Sequence, residues 1–150
     1  MRTLAIGSDH AGFNLKQALA EHLRARLGDD AVLDMGPPSA ARVDYPDYAA
    51  KVADAVLAGT VDGGVLICGT GIGISIAANK RAGIRAALCH DVTTARMARA
   101  HNDAQIVALG SRVVGEQVAR DLVDAFLETA FEVFFNAAAI TEIYTLEPGA

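Results

Sequence analysis

Five times along this chain a short apolar run gives way to a stretch with helical spacing. The apolar runs are residues 3–7, 31–35, 64–67, 84–89 and 106–109. The helical stretches are 14–27, about 44–58, 74–81, 91–101 and 115–129. In the first of these, Leu15, Ala18, Leu19, Leu23 and Leu27 recur on one face. Runs this short, without polar alternation, suit strands buried on both sides. Strict alternation with right-handed crossovers predicts an α/β fold: a doubly wound five-stranded parallel sheet with helices on both faces. The expected strand order is 2-1-3-4-5, a Rossmann-like arrangement whose switch point lies between strands 1 and 3.

Composition supports one such domain over residues 1–150. The chain is 52% hydrophobic but only 5% aromatic, so its core is aliphatic. With a net charge of -5, nucleic-acid binding has no electrostatic support. No apolar run is long enough to span a bilayer. The first residues lack a charged segment followed by a signal-like core, and the two cysteines form no disulfide framework. These features predict a cytoplasmic location. Residues 130–144 are unusually aromatic for this chain. Phe131, Phe134, Phe135, Ala138, Ala139 and Ile143 form a single helical stripe, expected to pack on a partner subunit.

The third apolar run ends in Cys68-Gly69-Thr70-Gly71-Ile72-Gly73, on a strand-to-helix turn. Glycine permits positive φ and close approach of a ligand to the backbone. Successive N–H groups before a helix N-terminus attract negative charge. The loop is not a phosphate-binding Gly-Lys-Ser/Thr motif, and its third glycine falls too early for a dinucleotide fingerprint.

Cys68 therefore has two readings: a reactive thiol in an amide-lined site, or an inert cysteine ending a buried strand. Cys89 reads as structural. Ser8-Asp9-His10 ends the first strand, so topology and polarity nominate the same crevice. His101, in His101-Asn102-Asp103, is either an acid–base group or a cation favoured at a helix C-terminus. His22 and His90 read as structural. Arg112, after the fifth strand, is either an anion ligand or a surface ion-pair partner. The histidines and cysteines show no metal-ligand spacing.

Five ordered motifs coincide: Gly7-Ser8-Asp9-His10-Ala11-Gly12, Asp44-Tyr45-Pro46, the stretch from Cys68 to Lys80, His101-Asn102-Asp103 and Gly110-Ser111-Arg112. Together they resemble the ribose-5-phosphate isomerase B family, which includes galactose-6-phosphate isomerase subunits. The resemblance covers about residues 3–128. It implies aldose–ketose isomerisation of a sugar or sugar phosphate through an enediolate, without metal or organic cofactor. It implies Cys68 as the base, because the glutamate used by another branch is Ile74 here. It implies His101 as the ring-opening group with Asp9 as its helper, and Thr70 as a catalytic residue lining the sugar. His10, Tyr45, Asn102 and the loop residues Gly69, Gly71, Ile72 and Gly73 match substrate contacts. The resemblance further implies homodimers, in some members paired into tetramers, with His101, Asn102 and Arg112 reaching the neighbouring chain's site. One departure stands out. Where the family carries two phosphate-binding arginines four residues apart, an ungapped alignment finds Phe135 and Ala139. An apolar face there favours a sugar with an uncharged terminus.

Overall fold

The computed structural model describes residues 1–132. Strands β1 (Leu4–Ser8), β2 (Val32–Asp34), β3 (Gly63–Cys68), β4 (Ala86–Leu88) and β5 (Ile106–Gly110) form one sheet. Helices α1 (Phe13–Leu27), α2 (Tyr45–Leu57), α3 (Ile72–Asn79), α4 (Val92–Asn102) and α5 (Glu116–Glu128) connect and follow them. Every strand pairing is parallel. Thr129 leaves α5 in extended form, and residues 130–132 are not helical. The remainder of the expected aromatic helix, with Phe135 and Ala139, lies outside the described residues.

Side-chain alternation divides the core into two layers. Leu4, Ile6, Val65, Ile67, Val107 and Leu109 face Leu19 and Leu23 of α1, Ala95 of α4, and Leu122 and Phe126 of α5. Ala5, Leu66, Cys68, Ile106 and Ala108 face Ala49 and Val52 of α2 and Ile74 and Ala78 of α3. Cys68 thus belongs to the α2/α3 layer. No described helix is long and apolar enough to cross a membrane.

The strand order is β2-β1-β3-β5-β4, which corrects the expected 2-1-3-4-5. The inner place beside β3 goes to β5, and Cys68 pairs in register with Gly110. The loop after Cys68 crosses directly over that position. A Cβ on residue 110 would lie 2.7 Å from the Thr70 carbonyl, so the neighbour of β3 must end in glycine. Gly110 meets that demand and Cys89 does not. β5 is buried along its whole length, whereas β4 is short and half-exposed, as befits an edge. The switch point stays between β1 and β3.

The loop from β2 to α2 is held at both ends. Lys16 is buried, and its Nζ lies 2.6 and 2.7 Å from the two Asp34 carboxylate oxygens and 3.1 Å from the Pro37 carbonyl. These three acceptors use all three ammonium protons. At the far end, Val43 O lies 3.1 Å from His10 Nδ1. Asp44 and Pro46 then start α2, with proline in the first turn where its missing N–H has no helical partner to lose.

Candidate active site

β3 delivers Cys68 to the sheet's C-terminal edge, where the glycine loop turns the chain into α3. The turn works because Gly71 sits at φ 78°, a left-handed conformation. Its N–H points back and donates to Cys68 Sγ across 3.1 Å. An N–H aimed at sulfur stabilises negative charge there, as does the N-terminus of α3 behind it. Thr70 Oγ1 accepts from the Ile72 N–H at 3.3 Å. The Tyr45 ring lies on the first turn of α3, so close that a Cβ on Gly73 would come within 2.8 Å of it. Gly71 thus serves conformation and packing together, and Gly73 leaves room for the Tyr45 ring.

Gly71→Ala tests this turn. Its Cβ would meet Leu88 Cδ1 at 2.5 Å and the Leu109 carbonyl carbon at 2.8 Å, at a positive φ. Strain and overpacking together should lower stability by about 2–4 kcal/mol. Denaturant unfolding would show the drop.

β1 ends beside the same loop. The Asp9 N–H donates to Ile67 O at 3.1 Å, and Asp9 Oδ1 accepts from the Gly12 N–H at 2.9 Å. Asp9 is only 7% exposed, so its carboxylate is held in place rather than solvated. Gly12 must lack a side chain, since a Cβ there would lie 2.6 Å from Ile67 O. His10 is exposed next to it.

β5 closes the third side. The Ser111 N–H donates to Cys68 O at 2.9 Å and the Arg112 N–H to Gly69 O at 3.0 Å. The Arg112 guanidinium lies over Gly69, with Nη1 3.4 Å from where a Cβ would stand. Arg112, expected from the neighbouring chain, therefore covers the loop of its own chain. His90 joins this group, its Nε2 3.2 Å from Thr70 O. His90 is thus a site neighbour rather than the purely structural histidine expected from the sequence. Its signal was its place at the end of a strand, among the same strand ends that carry the other site groups.

One chain therefore gathers Asp9, His10, Tyr45, Cys68, Thr70, Arg112 and the glycine loop. It does not bring His101 or Asn102 to them. α4 starts close to His90, at the loop's end of the sheet, and runs eleven residues away from it. That is about 16 Å at 1.5 Å per residue. At its far end, Arg85, which precedes β4, holds the Asn102 carbonyl at 3.1 Å. Within one chain the imidazole and the thiol occupy opposite ends of the sheet. Among the described residues, His, Cys, Asp and Glu form no group of three able to hold a metal ion.

The two cysteines differ chemically. Cys89 is 1% exposed, and burial pushes its thiol up to about 11, with Asp91 adding to the rise and a bond with Thr94 opposing it. It stays protonated and enclosed at neutral pH. Cys68 is 5% exposed and has the Gly71 donor. Iodoacetamide should therefore alkylate Cys68 first in the folded protein and Cys89 only on unfolding, as peptide mass spectrometry would read. Faster labelling of Cys89 would contradict this assignment.

The ribose/galactose isomerase family matches residues 4–143. The chain is 52% identical over 132 residues to ribose-5-phosphate isomerase B of Escherichia coli strain K12, covering 88% of this chain and 87% of that one. It is 40% identical over 144 residues to D-erythrulose-4-phosphate isomerase of Pectobacterium atrosepticum, covering 95% and 93%. The solved Clostridium thermocellum ribose-5-phosphate isomerase B superposes with a TM-score of 0.91 at 50% identity, covering 95% of each chain. The type B enzyme of Trypanosoma cruzi gives 0.91 at 44% identity, over 98% and 97%. By fold, and by sequence along most of its length, this chain belongs to the ribose/galactose isomerase family.

Proposed function

We propose that the chain is an aldose–ketose isomerase in which Cys68 is the base, acting on ribose 5-phosphate or a related sugar. The thiolate removes the proton from C2 of the open-chain aldose. Electrons move onto the carbonyl oxygen, giving an enediolate. Amides of residues 69–73 and Thr70 stabilise that oxygen, and the proton returns to C1 as the hydroxyl proton crosses between the oxygens. The observation that carries this reading is the Cys68 sulfur facing the Gly71 N–H, with the buried Asp9 at the adjacent strand end.

Ring opening needs an acid–base pair, which the reading assigns to His101 and Asp9. Because α4 carries His101 away from its own Cys68, a second copy of the chain supplies it, and the catalytic unit is a homodimer. Tyr45, His10, Asn102 and Arg112 line the sugar in this scheme.

A second reading of the substrate rests on Phe135 and Ala139. Each charge-assisted hydrogen bond contributes about 1.5–3 kcal/mol, so two missing arginines remove a factor of about 10² or more in affinity for a phosphate. His10 and Arg112 remain, and a sugar with an uncharged distal end then competes well. The deciding measurement is kcat/KM on ribose 5-phosphate against free allose, ribose and rhamnose. We expect a high KM for the ester and comparable efficiency on at least one free sugar. A preference for the ester above about a hundredfold, the arginine contribution just estimated, overturns this second reading and leaves the first intact. Exchange of substrate C–H with solvent deuterium separates both from a sugar-binding subunit, which would exchange nothing.

A further inference from the structure

Asp103 closes α4 at a position where helices usually place glycine. Its φ and ψ are 45° and 43°, the only positive φ outside glycine among the described residues. The Asp103 N–H donates to Arg99 O at 3.2 Å, the single bond of an αL-type ending, and the Ala104 N–H reaches back to Ala98 O at 3.0 Å. Glycine would adopt this turn without strain. The aspartate brings a carboxylate, and two arginines grip it. Arg85 Nη2 donates to Asp103 Oδ2 at 3.0 Å, and Arg99 Nη1 to Asp103 Oδ1 at 2.8 Å. Arg85 also donates to the main-chain carbonyls of Asn102 and Asp103, and Arg99 to that of Ala104.

Both arginines are anchored elsewhere. The Arg85 N–H donates to Gln105 Oε1 at 2.8 Å, just before β5. The Arg99 guanidinium lies 5.7 Å from the ring of buried Phe126 on α5. The last turn of α4 is thus fixed to β4, β5 and α5 through the Asp103 carboxylate and the main-chain carbonyls beside it. That turn carries His101 and Asn102, the two residues the proposed reaction needs at another copy's site. A proton-relay group must be held within about 0.5 Å of its working position, and misplacement by about 1 Å costs roughly 10²-fold in rate.

We propose that Asp103, held by Arg85 and Arg99, is a positioning residue that sets the orientation in which His101 is delivered to the active site. The inference rests on reading His101 as the ring-opening group. It explains why a strained aspartate occupies a glycine position.

Asp103→Gly separates positioning from folding, because glycine relieves the left-handed strain while removing the carboxylate. Its thermal midpoint should stay close to that of the unaltered protein. Activity is then compared on two substrates. Ribose 5-phosphate closes a five-membered ring through its C4 hydroxyl and needs opening. D-erythrulose 4-phosphate has its terminal oxygen esterified and forms no such ring. We expect kcat/KM to fall about tenfold or more on the first and by a clearly smaller factor on the second, where only the Asn102 contact is disturbed. Equal losses on both substrates, or none on either, would overturn the proposal. A readout independent of turnover is the His101 imidazole NMR signal, assigned by its disappearance in His101→Ala. It should shift in Asp103→Gly, and an unmoved signal would also reject the positioning role. His101→Ala distinguishes the two levels of failure. Full activity of that variant on ribose 5-phosphate removes the relay itself. Loss there, with none in Asp103→Gly, removes only Asp103.

Discussion

Cys68→Ala should keep the fold and lose isomerisation, with kcat falling by about 10³-fold or more, in the range that a positioned general base contributes. The expectation follows from what surrounds the sulfur. Cys68 closes a fully buried strand, and the change removes one atom next to α3. The Gly71 N–H then loses its acceptor, a cost of about 1 kcal/mol that a domain of this size absorbs. Chemistry has no such reserve, because the neighbouring position that could hold a carboxylate is the buried Ile74. Cys68→Ser sharpens the test. Its hydroxyl still accepts from Gly71 but is far too weak an acid to form the anion at neutral pH. Both variants should therefore fail in solvent-deuterium exchange at the substrate carbons while binding sugar at near-unaltered affinity. Substantial exchange by Cys68→Ala would remove the thiol from the mechanism.

Much of this was legible in the residues before any coordinate. The five strands and five helices follow from apolar runs and helical spacing, which are local signals. The strand order did not follow, because residues 84–89 and 106–109 both read as short apolar runs and periodicity does not rank them for the inner place. The decisive fact was steric: the chain over β3 comes so near its neighbour that only Gly110 fits. The crevice was legible because Asp9 and Cys68 end strands 1 and 3, whose adjacency survives the corrected order. His90 was missed for the opposite reason, since its contact with Thr70 joins residues twenty positions apart and depends on how the loop folds back. Lys16 was hidden in a helix pattern that reads its position as polar surface. Its burial is set by Asp34 and Pro37, which come from a different element.

The arrangement of α4 leads to a second large effect. Cys68→Ala and His101→Ala should each be nearly inactive alone, yet mixed dimers of the two should regain activity. Helix α4 carries His101 about 14 Å from the end of the sheet where Cys68 sits. A proton relay works over hydrogen-bond distances, so in this structure the two groups of one chain stand too far apart to share a site. In the proposed two-fold dimer, each site would take its thiol from one copy and its imidazole from the other. A mixed dimer then holds one site with both groups intact and one site with both removed. Random assortment makes about half of all dimers mixed, and half of their sites complete, so about a quarter of the unaltered activity should return. Co-expression with two different affinity tags isolates the mixed species, whose specific activity should approach half. The control is the double variant Cys68→Ala/His101→Ala mixed with unaltered chain. There each mixed dimer pairs one thiol with a missing imidazole and one imidazole with a missing thiol, so the mixed species should be inactive. If instead both mixtures show only the activity of their unmixed parts, the thiol and imidazole work within one chain, and α4 must move by most of its length to join them.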